Sequence, residues 1–496
     1  MNERREKLKV ASTQRRISSV VVALSVAAAC MSACSTGGSG DAAKAPDALE
    51  MSGAEVVQDP DGTGVEVSKR MYPASEAVVV ATKERNSQLL GAAIALERGI
   101  PLLVRWPGTD ETVDAEIDRL GATEVITPTP EEGVEPLQSE RPEGDIAAVA
   151  AAQPQKPGAI AFPPILVTEE TSLGAAVSAR AAGAELEVLQ FPDPRVTSAS
   201  MRTVLEQDTL ALGMQWGDTE AYRDKITLAT HGELPGGGGL VFPGRRMVAL
   251  YGHPSGPALG VMGEQPPVEA AQLAKEYVQK YQPLDGQSVI PAFEIIVTVA
   301  SQSPGADGDY SNETAIEDIV PYIDAITEAG GYAVLDLQPG QGDFLHQARL
   351  YEELLLRPNV GLALDAEWKL NPGEQPLSRI GSATSEEINA VADWLANLVR
   401  EHKLPQKALI LHQFRLDMYP DRENIRTDQP ELAWVLHADG HGAPEQKFDT
   451  WNVLRQGLSP DFFMAWKNFI DEDTPTFSPE QTYNDVQPRP WFVSYQ

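Results

Sequence analysis

The stretch Gly361-Leu-Ala-Leu-Asp-Ala-Glu-Trp368, GLALDAEW, is an apolar run that ends in two carboxylates spaced two apart. In a strand, residues two apart share a face, so Asp365 and Glu367 are expected to point the same way. Carboxylates crowded on one face repel, and a fold keeps such a pair mainly where it uses it. The alternative is a hydrated strand end, or carboxylates paired with Lys369 or Arg415. Outward from this stretch the same design recurs. Short apolar runs begin at Met247, Phe293, Tyr332, Val360, Ala408, Ala433, Phe462 and Trp491. Helical patterns separate most of them, among them PVEAAQLAKEYVQKY, AIEDIVPYIDAITEAG, FLHQARLYEELLL and SEEINAVADWLANLVREH. Strands alternating with helices in this number, over about 250 residues, predict a (β/α)8 barrel across residues 246–496. An open parallel sheet is the structural alternative.

Barrels of this kind place their chemistry at the C-terminal ends of the strands. Here the strand ends turn polar: His253 on the first, Asp336 and Gln338 on the third, Asp365 and Glu367 on the fourth. His412 and Gln413 follow on the fifth, His437 and Asp439 on the sixth, Trp466 and Lys467 on the seventh. Gly361 and Ala363, on the Asp365 face, are expected to leave space in the mouth. Carboxylates beside Trp368, Trp434, Trp466, Phe414 and Tyr251 suit a sugar, whose apolar face stacks on rings while acids and amides bind its hydroxyls. Glycoside cleavage needs a protonated carboxyl for the leaving oxygen and a group that stabilises an oxocarbenium-like centre. Glu367, crowded by Asp365 and Asp439, is the expected acid. Asp365 is expected to stay ionised, and Asp439 to orient substrate or water. Asp336, Gln338, His253, His412, Gln413, Trp466 and Trp368 are the expected substrate-binding residues.

The first half reads differently. AVVVATKERNSQLLGAAIALERGIPLLV and PILVTEETSLGAAVSARAAGAELEVL each give strand, turn, helix and strand, and each carries Leu-Gly-Ala-Ala within the helix. This is the βαβ signature of Rossmann-like parallel α/β repeats. A Gly-Ala-Ala patch lets a helix approach its sheet closely. In the first copy DETVDAEIDRLGATEVITP adds a helix, with Gly121 near its end, and a further strand. No glycine-rich phosphate loop is seen at a strand-to-helix turn. The two copies span residues 75–233, and LPGGGGLVFPG within 234–245 reads as a flexible connector into the barrel.

Residues 1–34 read as an export signal. A basic segment with Arg4, Arg5, Lys7, Lys9, Arg15 and Arg16 precedes the apolar Ile17–Ala29, and Met31-Ser-Ala-Cys34 follows. This resembles a bacterial lipobox, which implies lipidation of Cys34 and a tether over residues 35–74 leading away from the outer face of the cell membrane. Cleavage nearby without lipid is the alternative. The two cysteines, Cys30 and Cys34, both lie in that segment, so disulfides and thiolate zinc sites are not expected beyond it. The formal charge is −33, and the segment before Cys34 is net +4, which leaves the rest near −37. Such a surface repels nucleic acid and anionic headgroups, so a membrane is held through lipid and no nucleic-acid partner is expected.

Three resemblances attach to these residues. The first-half pattern, with its small-residue helix and RLGA-x-x-V strand, resembles the cell wall-binding repeat 2 family of Gram-positive surface proteins; that family usually carries three copies, and two are counted here. Asp365-x-Glu367 on the fourth strand, with Asp439 after the sixth, resembles the Chalaropsis-type lysozymes of glycoside hydrolase family 25. That resemblance implies Glu367 as proton donor with assistance from the substrate's N-acetyl group. It also wants an Asp on the first strand, where this chain offers His253. Residues 246–496 as a whole resemble an uncharacterised actinobacterial lipoprotein family, which implies no activity. The expectation is a cell-envelope lipoprotein that acts on or binds cell-wall polysaccharide or peptidoglycan, with no cofactor and no resident metal. Two alternatives stand: a non-catalytic glycan-binding lipoprotein, and a metal-dependent hydrolase using His253, His412, His437, Asp439 and His441. Asp471–Asp473 and Asp307 with Asp309 are read as solvated acidic loops before calcium sites, and FRLDMYPDREN after the fifth strand as a lid.

Overall fold

The computed structural model describes residues 48–129, 134–155 and 160–496. The export segment and Cys34 lie outside them. No helix among the described residues is long and apolar enough to cross a membrane.

The first half builds two small parallel sheets. β1 (Glu55–Val57) is followed by α1 (Val65–Met71), β2 (Ala77–Thr82), α2 (Arg85–Arg98), β3 (Leu102–Arg105), α3 (Asp110–Leu120) and β4 (Glu124–Ile126). Next come α4 (Asp145–Ala151), β5 (Ile165–Val167), α5 (Leu173–Ala182), β6 (Leu186–Val188), α6 (Ser198–Glu206), β7 (Leu210–Leu212) and α7 (Thr219–Ala229). One sheet has the order β3-β2-β4 and the other β1-β7-β5-β6, with every pairing parallel. A shared apolar core, from Val65 to Leu212, serves both sheets, and a second cluster with Leu166, Ala211 and Trp216 packs against the other face of the β1-β7-β5-β6 sheet.

The two Leu-Gly-Ala-Ala segments have diverged in use. Gly91 lies inside α2, where a Cβ would come 2.9 Å from Leu102 and 3.2 Å from Val79 of the sheet. In the second copy the segment also lies within the helix, as the first turn of α5, capped by Ser172, whose hydroxyl accepts from Ala175 N–H. Gly174 there touches backbone, not sheet. A Cβ on Gly64, at φ 75°, would come 2.6 Å from the Gly174 carbonyl carbon. Gly64→Ala is therefore expected to cost about 2–4 kcal/mol, combining a left-handed backbone with overpacking against backbone that cannot rotate away. Urea unfolding measures the loss.

The second half is a closed barrel. Its strands are β8 (Arg245–Gly252), β9 (Ser288–Ala300), β11 (Tyr332–Leu337), β12 (Val360–Asp365), β13 (Lys407–Gln413), β14 (Leu432–Ala438), β15 (Phe463–Asn468) and β16 (Phe492–Tyr495), with the short β10 (Ser311–Glu313) antiparallel to the end of β9. The eight are paired in parallel in that order, and β16 closes on β8. Around them lie α8 (Pro267–Tyr281), α9 (Ile316–Glu328), α10 (Phe344–Leu350), α11 (Glu352–Leu355), α12 (Ser385–Glu401), α13 (Pro444–Leu454) and α14 (Pro479–Asn484). Each predicted apolar run is a strand, and closure excludes the open sheet.

Inward positions alternate along every strand. The lower barrel is filled by Met247, Ala249, Ile290, Ala292, Tyr332, Val334, Ala363, Ala408, Ile410, Ala433, Val435, Ala465 and Phe492. The stretch expected to be a flexible connector seals the bottom of this core. Leu234, Val241 and Phe242 are buried in it, Phe242 against Phe463 and Trp491 with ring centroids 5.4 and 5.8 Å away. The buried Arg245 guanidinium donates to the carbonyls of Pro235, Gly237 and Leu240, which fixes the glycine turn. Gly361 and Ala363 do not open the mouth as expected. A Cβ on Gly361 would come 2.9 Å from the Tyr332 hydroxyl, so the missing side chain admits that ring at a lower level.

Candidate active site

Above the apolar layers the inward faces turn polar. At the C-terminal level the strands bring in Tyr251, Glu294, Asp336, Asp365, His412, His437, Lys467 and Ser494, all buried. Paired register sets Asp365 beside His412 and His412 beside His437. His412 is the hub: Nδ1 lies 2.8 Å from Asp439 Oδ2, and Nε2 lies 2.7 Å from Glu294 Oε1 and 3.9 Å from Asp336 Oδ1. The Tyr251 hydroxyl donates to Asp336 Oδ2 at 2.8 Å, and Lys467 Nζ stands 3.6 Å over the Tyr251 ring.

A cavity of about 470 Å³ opens above this layer, lined by Tyr251, Gln338, Asp365, Glu367, Trp368, Phe414, Asp439, Lys467 and Phe469 among others. A second cavity, of about 340 Å³, is lined by Tyr310, Leu377, Arg379 and Arg415 and shares Ala300, Glu367, Trp368 and Ile380 with the first. Glu367 thus stands where the two adjoin. A rigid strand end fixes it: the Glu367 N–H donates to Asp365 Oδ1 at 3.0 Å, in a short turn over Ala366–Trp368.

The electrostatics separate the carboxyls. Burial, reinforced by the charge of Asp439, raises the Glu367 pKa to about 7. Burial also raises Asp365 well above its ordinary value, with Asp336, Asp439 and Glu367 adding to the effect. Burial thus works against the ionised Asp365 that was expected. Burial works the same way on Asp439, but the hydrogen bond and charge of His412 outweigh it and hold Asp439 low. Asp336 is raised to about 6, chiefly by burial. Asp439 is the carboxylate whose charge acts on Glu367 in this cavity.

The chain matches no family model, no curated protein and no solved structure. What the site does has to follow from its own chemistry.

Several expected residues do converge. Asp365, Glu367, Asp439, Gln338 and Trp368 line the mouth, and His412 and Asp336 lie just beneath it. Four do not join them. Trp466 faces the outer helices, stacked on Phe477 at 5.6 Å and edge-on to Trp451, because strand parity turns Ala465 and Lys467 inward. Gln413 points outward for the same reason, and its Oε1 accepts from Arg422 at 2.7 Å. His253 follows the last residue of β8, where the chain leaves the barrel, and its ring bonds Ser255 and Thr314. Trp434 packs outward on Phe462. His441 stays at the rim against Phe469, and the five proposed metal-ligating groups do not gather at one point: His412 meets His437 beside Glu294 and meets Asp439 beside Asp365.

Glu294 is a site group absent from the expected set, whereas Tyr251, expected as a stacking ring, and Lys467, expected as a polar strand end, do reach the site. The signal was there: Glu294 is one charge inside the apolar FEIIVTVA, at even spacing from Ile290 and Ala292. Two further expectations change. The lid segment is tied down, with Met418 and Tyr419 buried and Asp421 accepting from Ser385 N–H and Oγ–H at 2.9 and 2.6 Å. Asp473 is no solvated loop acid; it is buried and pairs with Lys447 at 2.5 Å.

Proposed function

We propose that this chain is an exported, lipid-anchored envelope protein whose barrel hydrolyses a cell-wall polysaccharide, with Glu367 as the proton donor. The observation that carries the reading is Glu367 itself: a half-buried carboxyl, protonated near neutrality, at the junction of two cavities. A bound glycan would place sugars on either side of that junction, with Trp368 and Phe414 offering apolar faces for stacking. Glu367 gives its proton to the glycosidic oxygen as the bond from that oxygen to the anomeric carbon breaks. Asp439, anionic beside His412, stabilises the positive charge that develops, as can an N-acetyl group of the substrate. Water then adds at the anomeric carbon and returns a proton to the Glu367 carboxylate.

The acid must be protonated to act, so activity is expected to be highest below pH 7 and to fall about tenfold per unit above it. A reducing-end assay on purified wall glycan across pH 5–9 checks this. A profile rising from pH 7 to 9 contradicts the acid role. One observation favours a purely binding protein: the first strand offers the mouth Tyr251, not the acid that the lysozyme resemblance wants. Co-sedimentation with wall glycan, without release of reducing ends at any pH, would decide for binding.

A further inference from the structure

Beneath the mouth lies a second arrangement, of which the glycan reading uses only the contact of His412 with Asp439. We infer that Glu294, His412, His437 and Asp336 form a binding site for one divalent transition-metal ion, of the zinc class, inside the barrel. The ligand atoms of Glu294, His412 and His437 all lie within 4.8 Å of one another. Glu294 Oε1 is 2.7 Å from His412 Nε2 and 3.6 Å from His437 Nδ1, and Asp336 Oδ1 is 3.9 Å from His412 Nε2. Ligands about 2.1 Å from a tetrahedral zinc stand about 3.4 Å apart, so small shifts of Glu294, His412 and His437 supply two nitrogens and one carboxylate, and Asp336, beside His412 but outside that group of three, turns in to supply the second.

Two further observations point to a cation rather than to a hydrogen-bonded network alone. Glu294 Oε2, Asp336 Oδ1 and His437 Nδ1 are buried with no hydrogen-bond partner among the described residues, and all three side chains have zero exposure. Three orphaned atoms, brought together inside the barrel from β9, β11 and β14, are costly unless something lies between them. The far atoms, by contrast, are held: His412 Nδ1 by Asp439 at 2.8 Å, His437 Nε2 by Ser494 Oγ at 2.9 Å and Asp336 Oδ2 by Tyr251 at 2.8 Å. Ligating histidines are oriented in this way, by an outer oxygen on the nitrogen that does not bind. Charge agrees: Glu294, Asp336 and Asp439 are brought to one barrel level around His412, where a divalent ion offsets their negative charge. On binding, the ion replaces the proton on His412 Nε2 and that proton leaves to solvent.

The test uses the purified full chain, stripped with EDTA and titrated with ZnCl2 by calorimetry. One equivalent per chain is expected, with a raised melting temperature and an X-ray absorption spectrum showing two imidazoles in the zinc shell. Glu294→Gln and His437→Gln are expected to weaken zinc at least 100-fold, Ser494→Ala about tenfold, and His253→Gln not at all. Should the first two variants fail to fold, the imidazole count on the wild type decides. Less than about 0.1 equivalent bound, or a shell without imidazole, overturns the site.

Discussion

Glu367→Gln is expected to lower glycan hydrolysis by about 10²–10⁴-fold, the usual contribution of a positioned general acid, while binding of the glycan is retained. The amide keeps the side chain's shape and its place at the end of β12 but has no proton to give. The same variant makes a second, independent expectation about stability. Burial raises the Glu367 pKa from 4.5 to about 7, so the folded chain holds a proton that the unfolded chain has lost between those values. By linkage, wild-type stability then falls as pH rises from about 4.5 to 7 and levels off above that. The glutamine does not titrate. Relative to wild type it is expected to gain about 1–3 kcal/mol between pH 4.5 and pH 8, reduced from the full shift because the group is partly solvated. Urea midpoints for both proteins at the two pH values check this. Full activity in the variant removes the acid assignment; a constant stability difference across pH removes its electrostatic basis.

Trp466→Ala is expected to cost about 3–5 kcal/mol of stability, the range for deleting a large buried aromatic. The ring is 1% exposed and is enclosed by Trp451, Phe448, Phe477 and the Lys447 ammonium, with its indole N–H donating to Asn468 at 2.9 Å. Truncation leaves a cavity between β15 and the outer helices and orphans the Asn468 oxygen. Trp368→Ala is the contrasting case. It sits half-buried on both cavities, so it is expected to weaken glycan binding with a stability loss of about 1 kcal/mol or less. A Trp466 variant that unfolds at the wild-type urea midpoint but loses glycan affinity would return that residue to the substrate.

The two tryptophans show where sequence stops being readable. Both follow a polar or small residue at a strand end, and both looked equally suited to stack on a sugar. Counting from the strand interior separates them: Phe463, Ala465 and Lys467 share the inward parity, and Trp466 does not. The same count, begun at Ala408 and Ile410, keeps His412 and removes Gln413. His253 has the inward parity but lies past the end of its strand, where parity no longer applies. Glu294 failed in the opposite direction, because a charge within a buried strand looks like an interruption until eight strands are closed around it.

By itself the sequence determined the barrel and Asp365 at the end of its fourth strand. Eight apolar runs with polar ends, separated by helical periodicity, leave few ways to bury both faces of every strand. Glu367 reaches the same cavity from the turn after β12, past the strand, where the spacing of two does not place it. Only the tertiary structure decided which carboxyl keeps its charge. That depends on distances across the barrel, where His412 holds Asp439 as an anion while burial turns Asp365 and Glu367 toward the protonated form. Such distances join residues far apart in the chain, and no local pattern carries them.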